Sequence, residues 1–500
     1  MMKRIYIILV GLILSAVNLK AQQRTNYTFT LDDVIQLAKE QSPQAIQARH
    51  SFRASYFSFM DYRAEFLPKL ALTTNPTTWD KSIRTIEQER GGGLVITEVR
   101  ANTLTSTAGL ALTQNIGFTG GNISLGSDFR RSQNFEASGN PATFTTTPVR
   151  LSLSQPLNGY NQFRWLREIE PLRYEEAKQN YIVSIENVAS RAVSMFFALA
   201  IAQVNLNMLE TNFENQKALL EISRGRFELG RIAEDGLLSI QLRYMQAESR
   251  LNSARIDLRS RESQLRSFLG FTENVDIELL IDTNVPSFVV DFDEAMNLAL
   301  TSNPDVISWQ RRILEARRTV AQARSQTGIT MSLDASFGIN QTGNTFIDAY
   351  SPRYDDRQGV GLRINVPLLD WSQTRNRYRS AQSSLEVLEA QIQQQETDFN
   401  QDIYLQVMSF NMQENQLRIA ATADTIAQKS YEISYARYMM GIGNILELND
   451  ADNSKDNARI TFMRELQTFW NYYYALRRLT LFDFLNNRPL EEDFDAIIGL

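Results

Sequence analysis

The sequence predicts a mainly α protein with membrane β-structure, built from a duplicated unit of long coiled-coil helices plus a β-hairpin. Three observations carry this prediction. First, Ile185, Val188, Ala192, Met195, Leu199, Leu206, Leu209, Phe213, Leu220 and Phe227 step along at threes, fours and sevens, the seam of a very long helix. Second, the stripe returns as Ile392, Phe399, Ile403, Phe410 and Leu417. Both copies stop at a glycine, Arg226-Phe-Glu-Leu-Gly230 and Arg437-Tyr-Met-Met-Gly441. Third, the period changes to two before each long helix. Val149, Leu151 and Leu153 alternate with Arg150, Ser152 and Ser154, as Val360, Leu362, Ile364 and Val366 do with Gly361, Arg363 and Asn365.

Composition narrows the function classes. A hydrophobic fraction of 43% supports a large core, and a formal charge of −6 with no basic run argues against a nucleic-acid partner. One histidine, His50, and no cysteine leave little for metal, acid–base or thiol chemistry, so no cofactor is expected. At the N-terminus, Lys3-Arg4 precede the apolar run Ile5 to Val17, and Ala21 precedes Gln22. This reads as a secretory signal peptide over 1–21, too short an apolar run to serve as a membrane span. No later segment reads as apolar for long enough to span as a helix.

The first repeat occupies 22–270. Thr30 is the expected N-cap of a short helix that Ser42-Pro43 stops, and Leu31 to Pro43 matches Phe292 to Pro304 of the second repeat, 291–487. In each copy proline opens a second helix, Pro43 to about Glu65 and Pro304 to about Gln326. The β regions follow, about 70–157 and about 329–368, ending in the matched Ser154-Gln-Pro-Leu157 and Asn365-Val-Pro-Leu368. The first region is roughly twice as long as the second, with turns at Gly91-Gly-Gly93, Gly120-Gly121 and Gly139-Asn-Pro141. That excess leaves room for a further strand pair, Leu104–Ile116 and Asn122–Arg130. Long helices Gln162–Leu229 and Gln373–Met440 come next, then returning helices Gly236–Leu269 and Ile445–Leu485. Residues 271–290 read as an irregular connector and 488–500 as an acidic tail.

One hairpin per copy makes four strands per chain, which cannot close a barrel alone. Three chains would supply twelve, within the range of outer-membrane barrels, and closure would remove the free edges. Helices of nearly seventy residues, ~100 Å long, must then run away from the membrane.

This duplicated order, with its proline-stopped short helix, its Gln-Pro-Leu-type strand end and its Arg-aromatic-x-x-Gly tip, resembles the TolC-like outer membrane factors. The resemblance covers about Phe29 to Leu485. It implies a homotrimer with a twelve-stranded barrel in outer-membrane lipid and an α-helical periplasmic tunnel. Such a duct exports passively for an efflux pump or type I secretion system, through a periplasmic adaptor and an inner-membrane pump, with no enzymatic activity. Counted from Gly441, the family's channel-mouth acids fall on Glu447 and Asp450, which are three apart and share a helix face. The first copy has Gly236 and Ser239 there, and the family's basic latch position falls on Gly443. The bland alternative is that the two acids simply suit a helix N-terminus. The implied adaptor contacts are the tips at Gly230, Arg231, Gly441, Ile442 and Gly443.

Asp450-x-Asp452-x-Ser454-x-Asp456 imitates a calcium loop, but Lys455 stands at the glycine place and Thr461 where a glutamate is needed. Phe469, Trp470, Tyr472, Tyr473 and Tyr474 read as helix core, and Trp79, Phe118 and Phe129 as candidates for a membrane-interface belt. Two other classes compete with the duct: a soluble periplasmic coiled-coil adaptor, which carries one helical hairpin instead of two, and an exported hydrolase using paired carboxylates.

Overall fold

Prolines and caps set the helix boundaries. Thr30 accepts a hydrogen bond from the Asp33 amide while the Asp33 carboxylate accepts from Thr30, a reciprocal cap that opens α1, Leu31–Gln41. The Thr30 hydroxyl and amide, both donating to the Asp33 carboxylate, hold that carboxyl below its ordinary value. Ser42, in extended conformation before Pro43, ends α1, and α2 runs Pro43–Ala64. The structure, a computed structural model, describes residues 26–90, 93–136, 141–271, 276–283, 285–351, 355–440 and 442–499. The signal-peptide reading, the glycines at 91–92 and 139, part of the connector, and Gly441 lie outside the described residues.

Strands β2 (Lys69–Arg90), β3 (Gly93–Ile116), β4 (Gly121–Asn134) and β5 (Ala142–Pro156) follow β1 (Asn26–Phe29) and the first two helices. Then come α3 (Gln162–Glu228), α4 (Glu234–Leu269) and β6 (Asp276–Leu279). The second copy gives α5 (Phe292–Ser302), α6 (Pro304–Ser325), β7 (Thr330–Gly343), β8 (Asp355–Asn365), α7 (Gln373–Met439) and α8 (Ile445–Thr480). Matched helices have equal lengths in the two copies: 11, 22, 67 and 36 residues. Short β9 (Phe482–Asp483), β10 (Arg488–Pro489) and α9 (Phe494–Ile498) close the chain.

The sheet corrects the strand count. Six strands, not four, form one antiparallel sheet in the order β2-β3-β4-β5-β7-β8. The first copy supplies two hairpins and the second only one. The Thr-, Ser- and Gly-rich excess of the first β region is the further strand pair for which the sequence leaves room, with Leu104–Ile116 lying in β3 and Asn122–Arg130 in β4.

Contacts divide the chain into two units, one of residues 54–177 and 305–396, which holds this sheet, the other of 1–53, 178–304 and 397–500. In the latter, Val188, Ala192, Phe196 and Leu199 of α3 are buried, as are Phe399, Ile403, Phe410 and Leu417 of α7. By length and composition α3 is apolar enough to cross a membrane, which amends the expectation that no helix is, and Val188, Ala192, Phe196 and Leu199 within it are buried in protein. Phe469, Tyr473 and Tyr474 of α8 are buried with them, and the Phe410 ring stands 5.4 Å from that of Phe469.

Two further findings concern the connector, read as irregular, and the acidic tail. Within the connector, β6 pairs in parallel with β1, Tyr27 opposite Ile277. The acidic tail is packed: the Phe494 ring lies tilted 5.1 Å from that of Phe52, and Arg53 Nε donates to the Ile497 carbonyl at 2.6 Å.

A buried charge cluster binds four segments of this unit. Glu186 of α3, 2% exposed, accepts from Lys39 of α1 at 2.7 Å and from Arg477 of α8 at 3.0 Å. Arg477 also reaches Asp483 at 2.9 Å, and the Tyr473 hydroxyl donates to Asp483 at 2.6 Å. Burial works against the Asp483 anion, but the hydrogen bonds from Tyr473 and Asn486 and the Arg477 charge outweigh it and hold its carboxyl below the ordinary value. Arg477→Met leaves two acids without their shared cation, and an apparent loss of about 3–5 kcal/mol is expected in denaturant unfolding. Because Asp483 is depressed, its contribution is full above its ordinary 3.8 and lost as pH falls below it. Asp483→Asn should therefore shrink the stability difference between neutral pH and about pH 3.

Candidate functional site

The sheet has two chemically distinct faces. On one, Leu70 and Leu72 of β2 lie opposite Leu112 and Leu110 of β3, and Leu112 lies opposite Leu125 of β4. The row continues to Leu151 of β5 and Phe337 of β7, with Val360, Leu362 and Ile364 on β8. All of these side chains are exposed. Six adjacent strands thus present one continuous apolar band, far more than scattered surface hydrophobics require.

The opposite face is small and polar. Ala71, Ala111, Gly126, Arg150 and Gly338 align across five strands, next to a row of Lys69, Thr113, Ser124, Ser152 and Ser336. Arg150 pairs with Asp128 at 2.7 Å, and Arg363 with Asp334 at 3.7 Å. Gly109 has a structural reason: a Cβ there would come within 2.6 Å of the Asp128 carboxylate.

The β3–β4 turn is clamped at the end of the sheet where helices begin. Asn161, just before α3, donates to the carbonyls of Gly117 and Phe118 at 3.0 Å and accepts from the Phe163 amide. Asn115 donates to the Glu65 carbonyl at 3.0 Å, and Arg167 lies over the Phe66 ring. In the second copy Asp370 takes the capping place of Asn161, accepting from Thr374. Phe118 is 90% exposed here, and so is Trp371 at 83%, a residue that sequence reading passed over because it sits outside any strand pattern. Trp79 is exposed and donates to Asn102 at 2.8 Å, whereas Phe129 packs between Phe144 and Phe346.

In the other unit, the two helical hairpins turn at tips. Gly230 adopts φ +69°, and the Arg231 amide closes the turn onto the Arg226 carbonyl at 2.8 Å. At the second tip the amides of Ile442 and Gly443 both donate to the Arg437 carbonyl at 3.1 Å, and Asn444 caps α8 by accepting from Leu446. Leu229 and Ile442 are exposed. Leu219, Tyr438 and Leu448 form a small core from α3, α7 and α8, with Ile240 of α4 against it.

Glu447 and Asp450 flank buried Leu448 and are both exposed. Glu447 faces Arg437 across the tip at 3.9 Å, a loose, water-exposed pair worth little.

Sequence reading missed a second cluster one turn on. Lys455 lies between Asp452 at 2.7 Å and Asp456 at 3.3 Å, and its ammonium sits 3.9 Å from the centre of the Tyr431 ring. Asn212 of α3 donates to Asp452 at 2.5 Å and Asn215 to the Tyr431 hydroxyl at 3.0 Å. An ammonium thus occupies the place that the calcium-loop pattern would give a metal. Burial raises the Asp456 carboxyl above its ordinary value, and Asp452 adds to it against Lys455. Burial opposes the Lys455 charge, but the Asp452 hydrogen bond and both acids prevail and raise it.

Comparison with known proteins agrees with this layout. Alkaline protease secretion protein AprF of Pseudomonas aeruginosa is 24% identical over 245 residues, 47% of this chain and 49% of its own length. Nodulation protein T of Rhizobium leguminosarum bv. trifolii is 20% identical over 295 residues, 58% and 62% of the two chains. The match thus spans about half the length of the first relative and under two thirds of the second. Among solved structures, the Campylobacter jejuni CmeC outer membrane channel superposes with a TM-score of 0.67 at 15% identity, over 96% of this chain and 93% of its own. The outer-membrane channel OprN gives 0.64 at 15% over 90% and 89%, and VceC of Vibrio cholerae 0.62 at 13% over 92% and 97%. At such identities the likeness establishes the fold. The sequence profile described as "Outer membrane efflux protein" matches residues 122–271 and 295–480. That is well over half of the sequence, and the chain belongs to the outer membrane efflux protein family.

Proposed function

We propose that this chain is the outer-membrane export channel of a tripartite efflux pump or type I secretion system, acting as a homotrimer. The observation that carries the reading is the six-stranded sheet with its exposed apolar band on one face and small polar residues on the other. Hydrocarbon accepts the first face and water the second, which is the division of a membrane barrel wall. The helical hairpins would stand in the periplasm. Conduction is passive, with energy supplied by an inner-membrane pump. The likeness to a protein named for protease secretion makes an exported polypeptide one candidate cargo.

The tips at Gly230, Arg231, Gly441, Ile442 and Gly443 would meet a periplasmic adaptor. Exposed Leu229 and Ile442 offer apolar contact, and the main-chain closures of both turns leave those side chains unengaged. Glu447 and Asp450 would form the channel mouth. In a trimer they make two stacked rings of carboxylates, six in all, that attract cations, resist anions and hold a divalent blocker. The weak hold of Arg437 on Glu447 supports this role, since a firmly paired carboxylate would contribute less field.

Single-channel recording in a planar bilayer tests the reading. Uniform, cation-selective steps are expected from the purified trimer, and a soluble monomer giving none would overturn the channel. Replacing Glu447 and Asp450 with Ala should raise conductance and weaken block by divalent cations; unchanged values would remove the mouth assignment and leave the channel standing. Separately, Lys455→Met strands Asp452 and Asp456 side by side, and about 1–3 kcal/mol of local stability should be lost. Hydrogen exchange across residues 425–460 would then accelerate, while exchange in β3 and β4 stays unchanged.

A further inference from the structure

We propose that β2 and β3 are full wall strands, so that three copies close an eighteen-stranded barrel through β2 of one copy and β8 of the next. The inference rests on the trimeric channel reading and replaces the twelve strands that reading would otherwise take. Its first support is the β3–β4 ladder, which pairs residue by residue from Ile116 opposite Gly121 to Thr103 opposite Asn134 without a register shift. A hairpin folded away from the wall would have to break that ladder and expose its backbone groups to lipid.

The second support is the chemistry of the hairpin itself. Leu70, Leu72, Leu110 and Leu112 continue the exposed apolar band of β4, β5, β7 and β8 in register, while Ala71, Ala111 and Gly109 continue the small, polar face. A flap in water would have no use for such a division between faces. Clamping of the β3–β4 turn by Asn161 and Asn115 fixes the hairpin at the same end of the sheet from which α3 departs.

The third support is the pair of edges. In the sheet order, β2 and β8 are terminal, and each has strand neighbours on one side only among the described residues. The apolar stretch of β8, Val360 to Ile364, ends just before the α7 segment, and that of β2, Leu70 and Leu72, begins just after α2. Both stretches therefore sit at the helix-facing end of their strands. β2 leaves the helices and β8 returns to them, so joining β8 to the next copy's β2 is antiparallel, like every other pairing in the sheet. Pro76, which lacks an N–H, lies at the bulge between Asn75 and Thr78, outside the stretch that must pair. Eighteen strands at the usual spacing and tilt enclose a radius of about 18 Å, against about 12 Å for twelve. The partner is thus a second copy of this chain, and the consequence is a wider outer-membrane lumen.

The chain has no cysteine, so pairs can be introduced without background. Ala71→Cys would be combined in turn with Gly359→Cys, Gly361→Cys and Arg363→Cys, all on the polar face of β2 or β8. A control set would combine Ser124→Cys of β4 with the same three. Mild oxidation in native outer membranes, followed by a non-reducing gel and native mass, gives the readout. Covalent trimers from the β2–β8 set alone are expected. Trimers linked only through the β4–β8 set would mean a twelve-stranded wall and overturn the proposal. An intact trimer by native mass that neither set links would also overturn it, because β2 and β8 would then not be neighbours. A monomer by native mass would instead bring down the trimeric reading on which the proposal rests.

Discussion

Backbone hydrogen bonding is the constraint on which the rest of this molecule depends. A sheet with an exposed apolar band on one face suits hydrocarbon, and hydrocarbon offers no water to satisfy an open strand edge. Within one chain the order β2-β3-β4-β5-β7-β8 leaves two such edges. The chain cannot resolve this alone, which is why a family of membrane channels built on this fold makes physical sense of it. The same constraint explains the composition of the other face, where Ser124, Ser152, Ser336 and the glycines keep side chains small, and charges such as Arg150 and Asp128 appear in pairs.

The helical unit solves a different problem. A 67-residue helix gains little from propensity alone and must be held by contacts along its seam. In α3 that seam is densely buried from Tyr181 to Ala202 and thins beyond it: Leu206 and Phe213 are half-buried and Phe227 is exposed. Stability is therefore concentrated around Glu186 and Arg477, where a buried charge cluster ties α1, α3, α8 and β9 together. Toward the tips the apolar core shrinks to Leu219, Tyr438 and Leu448, and polar contacts through Lys455 and Asp452 take over. A segment held by hydrogen bonds and half-buried ions is the kind that opens locally at modest cost.

Much of this was legible in the sequence because helices write their period plainly. The stripe from Ile185 to Phe227, the prolines at Pro43 and Pro304, and the glycine at Gly230 locate α1 to α4 and their second copies within a few residues of the structure. The strands were harder, since Thr, Ser and Gly on the polar face of a strand look like turn residues. Leu70 and Leu72 make only one short alternation before Pro76 interrupts it, so β2 carries a weaker strand signal than β5 or β8, although its Leu70 lies opposite Leu112 of β3. The pairing of β1 with β6, and of Phe494 with Phe52, joins residues hundreds of positions apart and leaves no local mark. The Lys455 cluster escaped for the same reason: the sequence shows only a failed calcium-loop pattern, and the fold reveals that Lys455 itself pairs with both acids while its ammonium rests on the Tyr431 ring of another helix. For Glu447 and Asp450 the spacing places both on one exposed face, and the role proposed for them rests on the family resemblance, not on local geometry.

The two copies differ where their surroundings differ and agree where packing forbids change. All four matched helix pairs are equal in length, because inserting one residue into a seam-packed helix rotates everything after it by about 100° and breaks the register of the stripe. The sheet tolerates whole hairpins, since adding two antiparallel strands preserves the direction of every neighbour and the identity of both faces. The first copy has taken one such hairpin and the second has not. At the tips, substitution costs little where side chains already face water, and there the copies have diverged to Gly236 and Ser239 in one and Glu447 and Asp450 in the other. Equal helix length with freedom at the sheet and at the tips is what a duplicated frame allows: a sheet of variable width and tips of variable charge, with helices whose register holds both copies to the same length.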